Sequence, residues 1–381
     1  MPWKMMLLCV AIAVWPFAAS AQSGDTVAAR ELAPGVSYRQ FVDAAGPFVV
    51  CLVRIDLRRG DLELRVLRAH DRLRGREMTT DMVRRAQSAG DIEVVAAVNG
   101  DFFDVQTGEN ENNQVSAGEW WKGLKVTDSP YDTYDNIHVQ FALDAAGRRP
   151  AIDRFIVDAT AWAGNTAIPI VNVNLNPAGQ PEGTALYTAR YGETAPRDTS
   201  RITAEAALLT AGRRGDTLLY VRHGPVTATS GSAIPAHGAV LAAYGNGLRT
   251  SEVQALRAGD TVRVLLTTLP RLPDQRPPSL LIGGWPRIVR DGDIVAQDAR
   301  TVEGTISRNA EMRHPRTAIG FSRDAATLYL LTVDGRSERS VGMTLVELAT
   351  LMLRLGAWQA MNFDGGGSTT MVIGGQVVNR P

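Results

Sequence analysis

The sequence predicts an α+β fold, in which one sheet-rich domain carries a few helices packed on mixed sheet. Short runs rich in Val, Leu and Ile recur along the chain, as strands do. The 36 Gly and 19 Pro residues break these runs at close intervals. Helical patterns are confined to a few short segments, the clearest of them near the C-terminus. Sheet is therefore expected to dominate.

The first 21 residues are predicted to be a secretory signal peptide. Lys4 precedes an apolar stretch from Met5 to Trp15, and the small residues Ala19-Ser20-Ala21 follow it. The apolar stretch is shorter than the ~20 residues that a spanning helix needs, and Pro16 interrupts it. We therefore expect cleavage near Ala21 and a secreted or periplasmic product that does not span a membrane.

Charge and cysteine content limit the classes of partner. The 40 Lys and Arg residues balance 40 Asp and Glu residues, and no basic stripe with interleaved aromatics is present. We therefore expect no nucleic-acid partner. Loss of Cys9 with the signal peptide would leave Cys51 without a cysteine to pair with in the chain. The sequence gives no prediction of oligomeric state.

Residues 22–90 are predicted to form an N-terminal strand-rich region. The segment from Phe48 to Leu67 reads as two strands, broken at Arg59-Gly60-Asp61 in the manner of a hairpin. Thr80 to Ala89 is predicted to be a helix that Gly90 closes.

Residues 91–381 are predicted to form the main domain. Its first strand, Ile92 to Val98, is apolar enough to be buried and leads into Asn99, Gly100 and Asp101. Further short strands are expected over Ile137–Leu143, Ile170–Val173, Thr217–Val221, Thr261–Leu266 and Leu328–Val333.

A second helix and strand are predicted near the C-terminus. Thr344 and Glu347 have the spacing of a capping box, and Gly356 is placed to end the helix. The strand Ala357 to Phe363 follows and ends in a turn, Asp364-Gly365.

The turn after this strand has the composition of a binding site. Three successive glycines, Gly365, Gly366 and Gly367, cost backbone entropy and pack no side chain, so such a run is usually kept where the backbone turns sharply or approaches a ligand. Their amides, with the hydroxyls of Ser368, Thr369 and Thr370, could form an anion-binding concavity.

Two arginines near this turn are candidates for the same anion. Arg316 lies in RHPRTAIG and Arg336 in VDGR, and a guanidinium can bind two phosphoryl oxygens at once. Each could instead form a structural salt bridge. His314 could donate to a phosphate or pack beside Pro315.

Taken together, the motifs resemble the phosphodiester glycosidase family. The resemblance covers most of the chain and rests on NGDFF at 99–103, LYTARYG at 186–192, GGWPRIVRDG at 283–292, RHPRTAIG at 313–320, VDGR at 333–336 and NFDGGGSTTM at 362–371. It implies a hydrolase that cleaves the glycosidic bond of a sugar-1-phosphodiester, with a sugar-phosphate diester or glycan as its substrate.

The chemistry of such a bond requires an anion site and at least one carboxylate. Glycosidases usually employ two carboxyl groups, but phosphate is a weaker base than a sugar alkoxide, so one carboxylate could suffice. Asp364 is the first candidate for base or nucleophile, with Asp334 and Asp101 as alternates that could orient arginine or sugar hydroxyls. Asn99 and Asn362 complete the candidate substrate-binding residues.

Two other functions are alternatives, and so is the binding of a divalent cation. The chain could be an envelope protein that binds a glycan or anionic polymer without catalysis, or a phosphodiesterase that attacks phosphorus with a metal ion. No cofactor is expected, since the histidines lack zinc-site spacing; a divalent cation stays an alternative. The run from Glu109 to Asn113 could bind calcium but reads better as a solvated loop.

Overall fold

The computed structural model describes residues 25–90, 92–125, 138–176, 182–198, 201–228, 230–245, 247–304 and 311–381. The predicted signal peptide lies outside these ranges. None of the helices within them is long and apolar enough to cross a bilayer.

Strands make up most of the regular structure. In chain order they are β1 (Asp25–Ala33), β2 (Val36–Asp43), β3 (Phe48–Asp56), β4 (Ala96–Val98), β5 (Gln114–Ser116), β6 (Glu119–Lys122), β7 (Gln140–Leu143), β8 (Pro150–Asp153), β9 (Ile156–Ala163), β10 (Thr166–Ile170), β11 (Asn172–Val173), β12 (Gly183–Thr188), β13 (Ile202–Arg214), β14 (Thr217–Thr227), β15 (Gly238–Tyr244), β16 (Thr261–Leu269), β17 (Leu280–Gly283), β18 (Arg287–Arg290), β19 (Asp293–Ile294), β20 (Arg316–Phe321), β21 (Thr327–Val333), β22 (Gln359–Asn362), β23 (Met371–Ile373) and β24 (Gln376–Val377).

The helices are short. The α-helices are α1 (Thr79–Ala89), α2 (Leu248–Gln254), α3 (Ala299–Val302) and α4 (Leu345–Arg354), and 3-10 turns lie at Ala69–Asp71, Ala296–Asp298 and Gly366–Ser368. The predicted sheet-rich single domain agrees with this content.

The described strands form four sheets. The first has the order β1-β2-β3-β21-β20-β22-β18-β19, the second β10-β9-β16-β14-β13-β15-β12-β11, the third β6-β5-β17-β7-β8 and the fourth β24-β23-β4. Among these strands, β11 and β12 pair in parallel and the other pairs are antiparallel. The first sheet joins N-terminal β3 directly to C-terminal β21.

The first sheet separates two layers of core because its side chains alternate between its faces. Val50 and Leu52 of β3 pack in the cluster that contains α4. Cys51 and Val53 face the other way, into a cluster shared with the third and fourth sheets. A further cluster fills the space between the third and second sheets. The cavity described below lies in the layer that contains Cys51 and Val53, between the first sheet and the third and fourth sheets.

Helix α4 begins where the sequence predicts. The Thr344 hydroxyl accepts a hydrogen bond from the Glu347 amide at 3.2 Å, and the Glu347 carboxylate accepts one from the Thr344 amide at 2.9 Å. Gly356 ends the unit with φ +101°, a conformation that favours glycine. The capping box is therefore confirmed.

The second strand of the predicted N-terminal hairpin does not form. Residues 62–67 join no β-ladder, and the strand predicted from Ile92 is confined to Ala96–Val98. β3 pairs instead with β2 and β21 on its two edges, so no edge of β3 is left for residues 62–67. The alternating pattern of these residues has another use, described below.

Candidate active site

Two strand ends meet at the site. β4 leads into Asn99, Gly100 and Asp101, and β22 leads into Phe363 and Asp364. The Asp364 amide donates to the Gly100 carbonyl at 2.9 Å, and Asn99 Nδ2 donates to the Asp364 carbonyl at 2.7 Å. Because these bonds lock the two turns together, Asp101 and Asp364 line the same cavity, whose volume is about 1010 Å³.

The Asn99 side chain makes hydrogen bonds to three segments of the chain. Its Oδ1 accepts from the Thr317 hydroxyl at 2.7 Å and from the Thr370 amide at 3.0 Å. The same side chain holds the Asp364 carbonyl. Asn99 lines the cavity, but these bonds give it a positional role at the site.

The glycine run forms a tight 3-10 turn behind Asp364. Gly366 has φ +59°, and a Cβ at Gly365 would lie 2.8 Å from the Pro315 carbonyl oxygen, so both positions favour glycine. The Gly365 amide donates to Asp364 Oδ1 at 2.8 Å and the Gly366 amide to the Pro315 carbonyl at 2.9 Å. Of the three glycine amides, only that of Gly367 makes no hydrogen bond to the described residues. Fewer amides than predicted are therefore available to bind an anion at this turn.

Asp364 has an unusual carboxyl. Its pKa is raised from 3.8 to about 6, chiefly by burial and also by the negative charge of Asp101, although hydrogen bonds from the Ser368 hydroxyl and the Gly365 amide lower it. A carboxyl poised near neutral pH is suited to proton transfer.

Asp101 is held by two asparagines that the sequence did not single out. Its carboxylate accepts from the Asn112 amide at 3.0 Å, from Asn112 Nδ2 at 2.7 Å and from Asn110 Nδ2 at 3.1 Å. Burial nevertheless raises its pKa, and these bonds and the charge of His138 only moderate the rise. The negative charge of Asp101 in turn contributes to the raised pKa of Asp364.

The prediction of a solvated loop over Glu109 to Asn113 is wrong. Asn112 and Asn113 are fully buried, and Asn110 and Glu111 nearly so. The loop is buried because the amide groups of Asn110 and Asn112 donate hydrogen bonds to the Asp101 carboxylate. Asn113 Nδ2 also donates to the Phe155 carbonyl at 2.8 Å. The sequence did contain a signal for this burial, because the amide-rich run follows an aspartate at the end of a strand.

The two predicted phosphate-binding arginines have different surroundings. Arg336 is exposed and lies outside the cavity lining, but its Nη2 would lie 3.0 Å from a Cβ placed on Gly366, so its guanidinium flanks the glycine turn. Arg316 is 6% exposed and donates to the Met343 carbonyl at 2.8 Å and the Met312 carbonyl at 2.7 Å. Burial lowers its pKa to about 10. These carbonyls hold Arg316 away from the cavity wall.

A third arginine, missed in the sequence, does line the cavity. Arg68 donates to Asn110 Oδ1 at 2.9 Å and to the carbonyls of Arg72 and Leu73 at 3.0 and 2.6 Å. Burial lowers its pKa to about 10, against the opposing charges of Glu109 and Asp101. Through its hydrogen bond to Asn110, Arg68 therefore helps to hold the loop over Glu109 to Asn113 in place.

Asp334 follows a strand as Asp364 does but faces another part of the molecule. Its carboxylate accepts from the Arg380 amide at 2.9 Å, and its carbonyl accepts from the Ser340 hydroxyl at 2.6 Å. Burial raises its pKa. It lies outside the cavity, against the C-terminal segment.

Gly367, Ser368 and Thr370 line the cavity, whereas Asn362, Thr369 and His314 lie off its wall. Asn362 Nδ2 donates to the carbonyls of Trp285 and Phe363, each at 2.6 Å. Thr369 is fully buried, with its carbonyl bound by Asn379 at 2.9 Å. His314 pairs through its backbone with Met343, at 3.2 and 3.0 Å. No group of three or more His, Cys, Asp or Glu residues able to hold a metal ion occurs in the described ranges.

Comparison with known proteins supports the motif resemblance. Residues 215–381 match the phosphodiester glycosidase family. N-acetylglucosamine-1-phosphodiester alpha-N-acetylglucosaminidase of Bos taurus is 31% identical over 142 residues, which are 35% of this chain and 27% of the bovine protein. The prophage-derived uncharacterized protein YomE of Bacillus subtilis is 41% identical over 81 residues, 21% of this chain and 12% of that protein. The chain thus spans well under half the length of either relative.

The fold has a solved counterpart. A hypothetical protein from Synechocystis superposes with a TM-score of 0.68 at 21% identity, covering 94% of this chain and 62% of that one. Four of the six motifs named above fall in the range matched by the family. Residues 215–381 therefore match the phosphodiester glycosidase family, the family that the motifs resemble.

Proposed function

We propose that this protein is an exported hydrolase that cleaves the glycosidic bond of a sugar-1-phosphodiester. The observation that carries the proposal is the pairing of Asp101 and Asp364 in one cavity, at the ends of two strands. The family match of residues 215–381 and the bovine relative's phosphodiester substrate, given in its name, support the bond type. Export rests on the N-terminal sequence alone.

In the proposed reaction the bond between the anomeric carbon and the phosphate oxygen breaks. Asp364 either removes a proton from a water that attacks that carbon, or attacks the carbon itself to form a glycosyl ester that water then hydrolyses. In both routes the phosphate departs with the bonding electrons. Asp101 faces the same cavity, where its carboxyl can stabilise the cationic anomeric centre or orient a sugar hydroxyl. The raised pKa of Asp364 lets it exchange a proton near neutral pH.

The departing phosphate needs donors rather than a strong acid. The exposed guanidinium of Arg336 and the amide of Gly367 are the donors at the glycine turn with capacity for it. The amides of Gly365 and Gly366 already bond Asp364 and Pro315, so they stiffen the turn instead.

The proposal is tested with a matched pair of variants. Purified protein is incubated with a panel of sugar-1-phosphate diesters, and free sugar is measured for the wild type, Asp364→Asn and Asp334→Asn. Both aspartates precede a glycine at a strand end, but Asp334 lies outside the cavity. We expect Asp364→Asn to lose at least about 1000-fold in kcat, as removal of an essential carboxyl does, and Asp334→Asn to retain activity.

Equal losses in both variants would contradict the assignment of Asp364. No turnover on the whole panel, with tight binding of an anionic polymer, would replace the enzyme with the envelope-binding alternative.

A further inference from the structure

We propose that the group beyond the phosphate is an apolar chain, which lies in an apolar arm of the cavity. We define the apolar arm by Leu62, Leu64, Val66, Val98, Ile282 and Ile319. This inference rests on the proposed function and names the class of substrate as an amphiphilic glycosyl phosphodiester.

The apolar arm begins beside the carboxyl pair. A Cβ placed on Gly100 would lie 2.5 Å from Ile282 Cδ1, so Ile282 packs against the residue that precedes Asp101. Val98, the last residue of β4, directly precedes Asn99. A substituent on a phosphate at the glycine turn therefore meets apolar side chains within one residue of the site.

Five of the six side chains of the arm are incompletely buried; Ile319 is buried. Leu62, Leu64, Val66, Val98 and Ile282 are partly exposed although they pack against a core cluster with fully buried members such as Phe141. Protein interiors are close-packed, and apolar surface left open inside a domain costs stability. A cavity of about 1010 Å³ also exceeds the space that one sugar phosphate fills, at the upper end of the usual range for ligand sites.

Residues 62–67 form the outer wall of the arm. Arg148 binds the carbonyls of Arg59 and Gly60 at one end, and Ser116 exchanges hydrogen bonds of 3.1 and 3.0 Å with the Val66 backbone at the other. Between these two anchors the Leu64 side chain packs against the core cluster. Glu63 and Arg65 on either side of it are exposed and pair with each other at 2.8 Å. The alternation that suggested a strand thus presents apolar side chains to the cavity.

Two charged groups elsewhere on the lining have protein partners. Glu77 pairs with Arg85 at 2.9 Å, and Arg76 donates to the Val105 carbonyl at 3.1 Å. A hydrophilic aglycone would lose its hydration in the apolar arm without gaining comparable partners, whereas an alkyl chain gains free energy there.

The experiment compares diesters that share one sugar and one phosphate. The second substituent is methyl, butyl, hexyl or octyl, with glyceryl as the hydrophilic control, and each compound is kept below its micelle concentration. We expect kcat/KM to rise by about three- to fourfold for each methylene until the arm is filled, and the glyceryl diester to react no faster than the methyl diester. A flat series, or a preference for glyceryl, overturns the inference.

Two leucine variants test the location. Leu64→Gln puts an amide into the arm and should flatten the chain-length series, while Leu209→Gln makes the same change at an exposed leucine outside the cavity lining and should leave the series steep. An unchanged series in folded Leu64→Gln contradicts the location.

Failure of the inference can be told from failure of the proposed function. Hydrolysis of all diesters at one rate keeps the function and rejects the apolar arm. If no diester is hydrolysed, calorimetric binding of octyl phosphate against methyl phosphate still tests the arm. Tighter binding of octyl phosphate, abolished in Leu64→Gln alone, supports it, and equal binding rejects it.

Discussion

Asp364→Asn should stabilise the protein near neutral pH while it abolishes turnover. The pKa of Asp364 rises from 3.8 to about 6 in the folded state, so folding favours the protonated carboxyl. Its contribution to stability is complete below pH 3.8 and is lost as the pH rises through about 6. At about 1.4 kcal/mol for each pKa unit, the cost of the charged form in the folded state amounts to about 3 kcal/mol. Asparagine carries no charge and avoids that cost.

The assay is urea unfolding of wild type and variant at pH 4.0 and pH 7.5. We expect the free energy of unfolding of Asp364→Asn, relative to wild type, to be higher at pH 7.5 than at pH 4.0 by up to about 3 kcal/mol. Taking the difference between the two pH values cancels the loss of hydrogen bonds to Ser368 and Gly365 that is independent of pH.

Asp104→Asn is the control of opposite sign. The amides of Gln106 and Thr107 bond Asp104 Oδ1 at 2.7 and 2.9 Å and lower the pKa of that carboxyl. Its stabilising effect is present above its ordinary pKa of 3.8 and is lost as the pH falls below that value. Asp104→Asn should therefore lose stability relative to wild type between about pH 2.5 and pH 7.5, with most of the change below pH 4.0. A relative stability of Asp364→Asn that does not change with pH would refute the reasoning.

Three further predictions concern the surroundings of the carboxyl pair. Gly366→Ala and Gly374→Ala place alanine at φ +59° and +56° and should each cost about 1–2 kcal/mol of stability, but only Gly366→Ala, which crowds the Arg336 guanidinium, should also lower kcat/KM. Arg336→Ala should lower kcat/KM for diesters by about 10- to 100-fold, with Arg336→Lys restoring only part, as substrate kinetics would show. Asn112→Ala removes the 2.7 Å bond to Asp101, so the limb of the pH–rate profile that reports Asp101 should move to higher pH.

The elements that the sequence predicts well depend on local signals. Thr344 and Glu347 lie three residues apart and form their capping box within one helical turn. The turn at Asp364 likewise follows from the glycines directly after it. Such signals act through the nearest residues, so they survive whatever the rest of the chain does.

The choice between similar aspartates could not be made from the sequence. Asp334-Gly335 and Asp364-Gly365 are the same dipeptide at the end of a strand. Which one meets Asp101 depends on the contact between the Asp364 amide and the Gly100 carbonyl, more than 250 residues apart. No local pattern encodes that contact.

Buried polar groups were the other gap. Arg316 and Asn112 are polar residues that a sequence reading assigns to solvent or ligand. The structure buries Arg316 among backbone carbonyls and Asn112 against Asp101. Burial of a polar side chain depends on partners brought in by the fold, and these are visible only in three dimensions.

The bond that is broken tests the central claim most directly. A sugar-1-phosphate diester is hydrolysed in water labelled with oxygen-18, and both products are analysed by mass spectrometry. We expect the label in the anomeric hydroxyl of the sugar and unlabelled phosphate, because the nucleophile attacks carbon. Label in the phosphate product, with unlabelled sugar, would show attack at phosphorus and contradict the glycosidase mechanism.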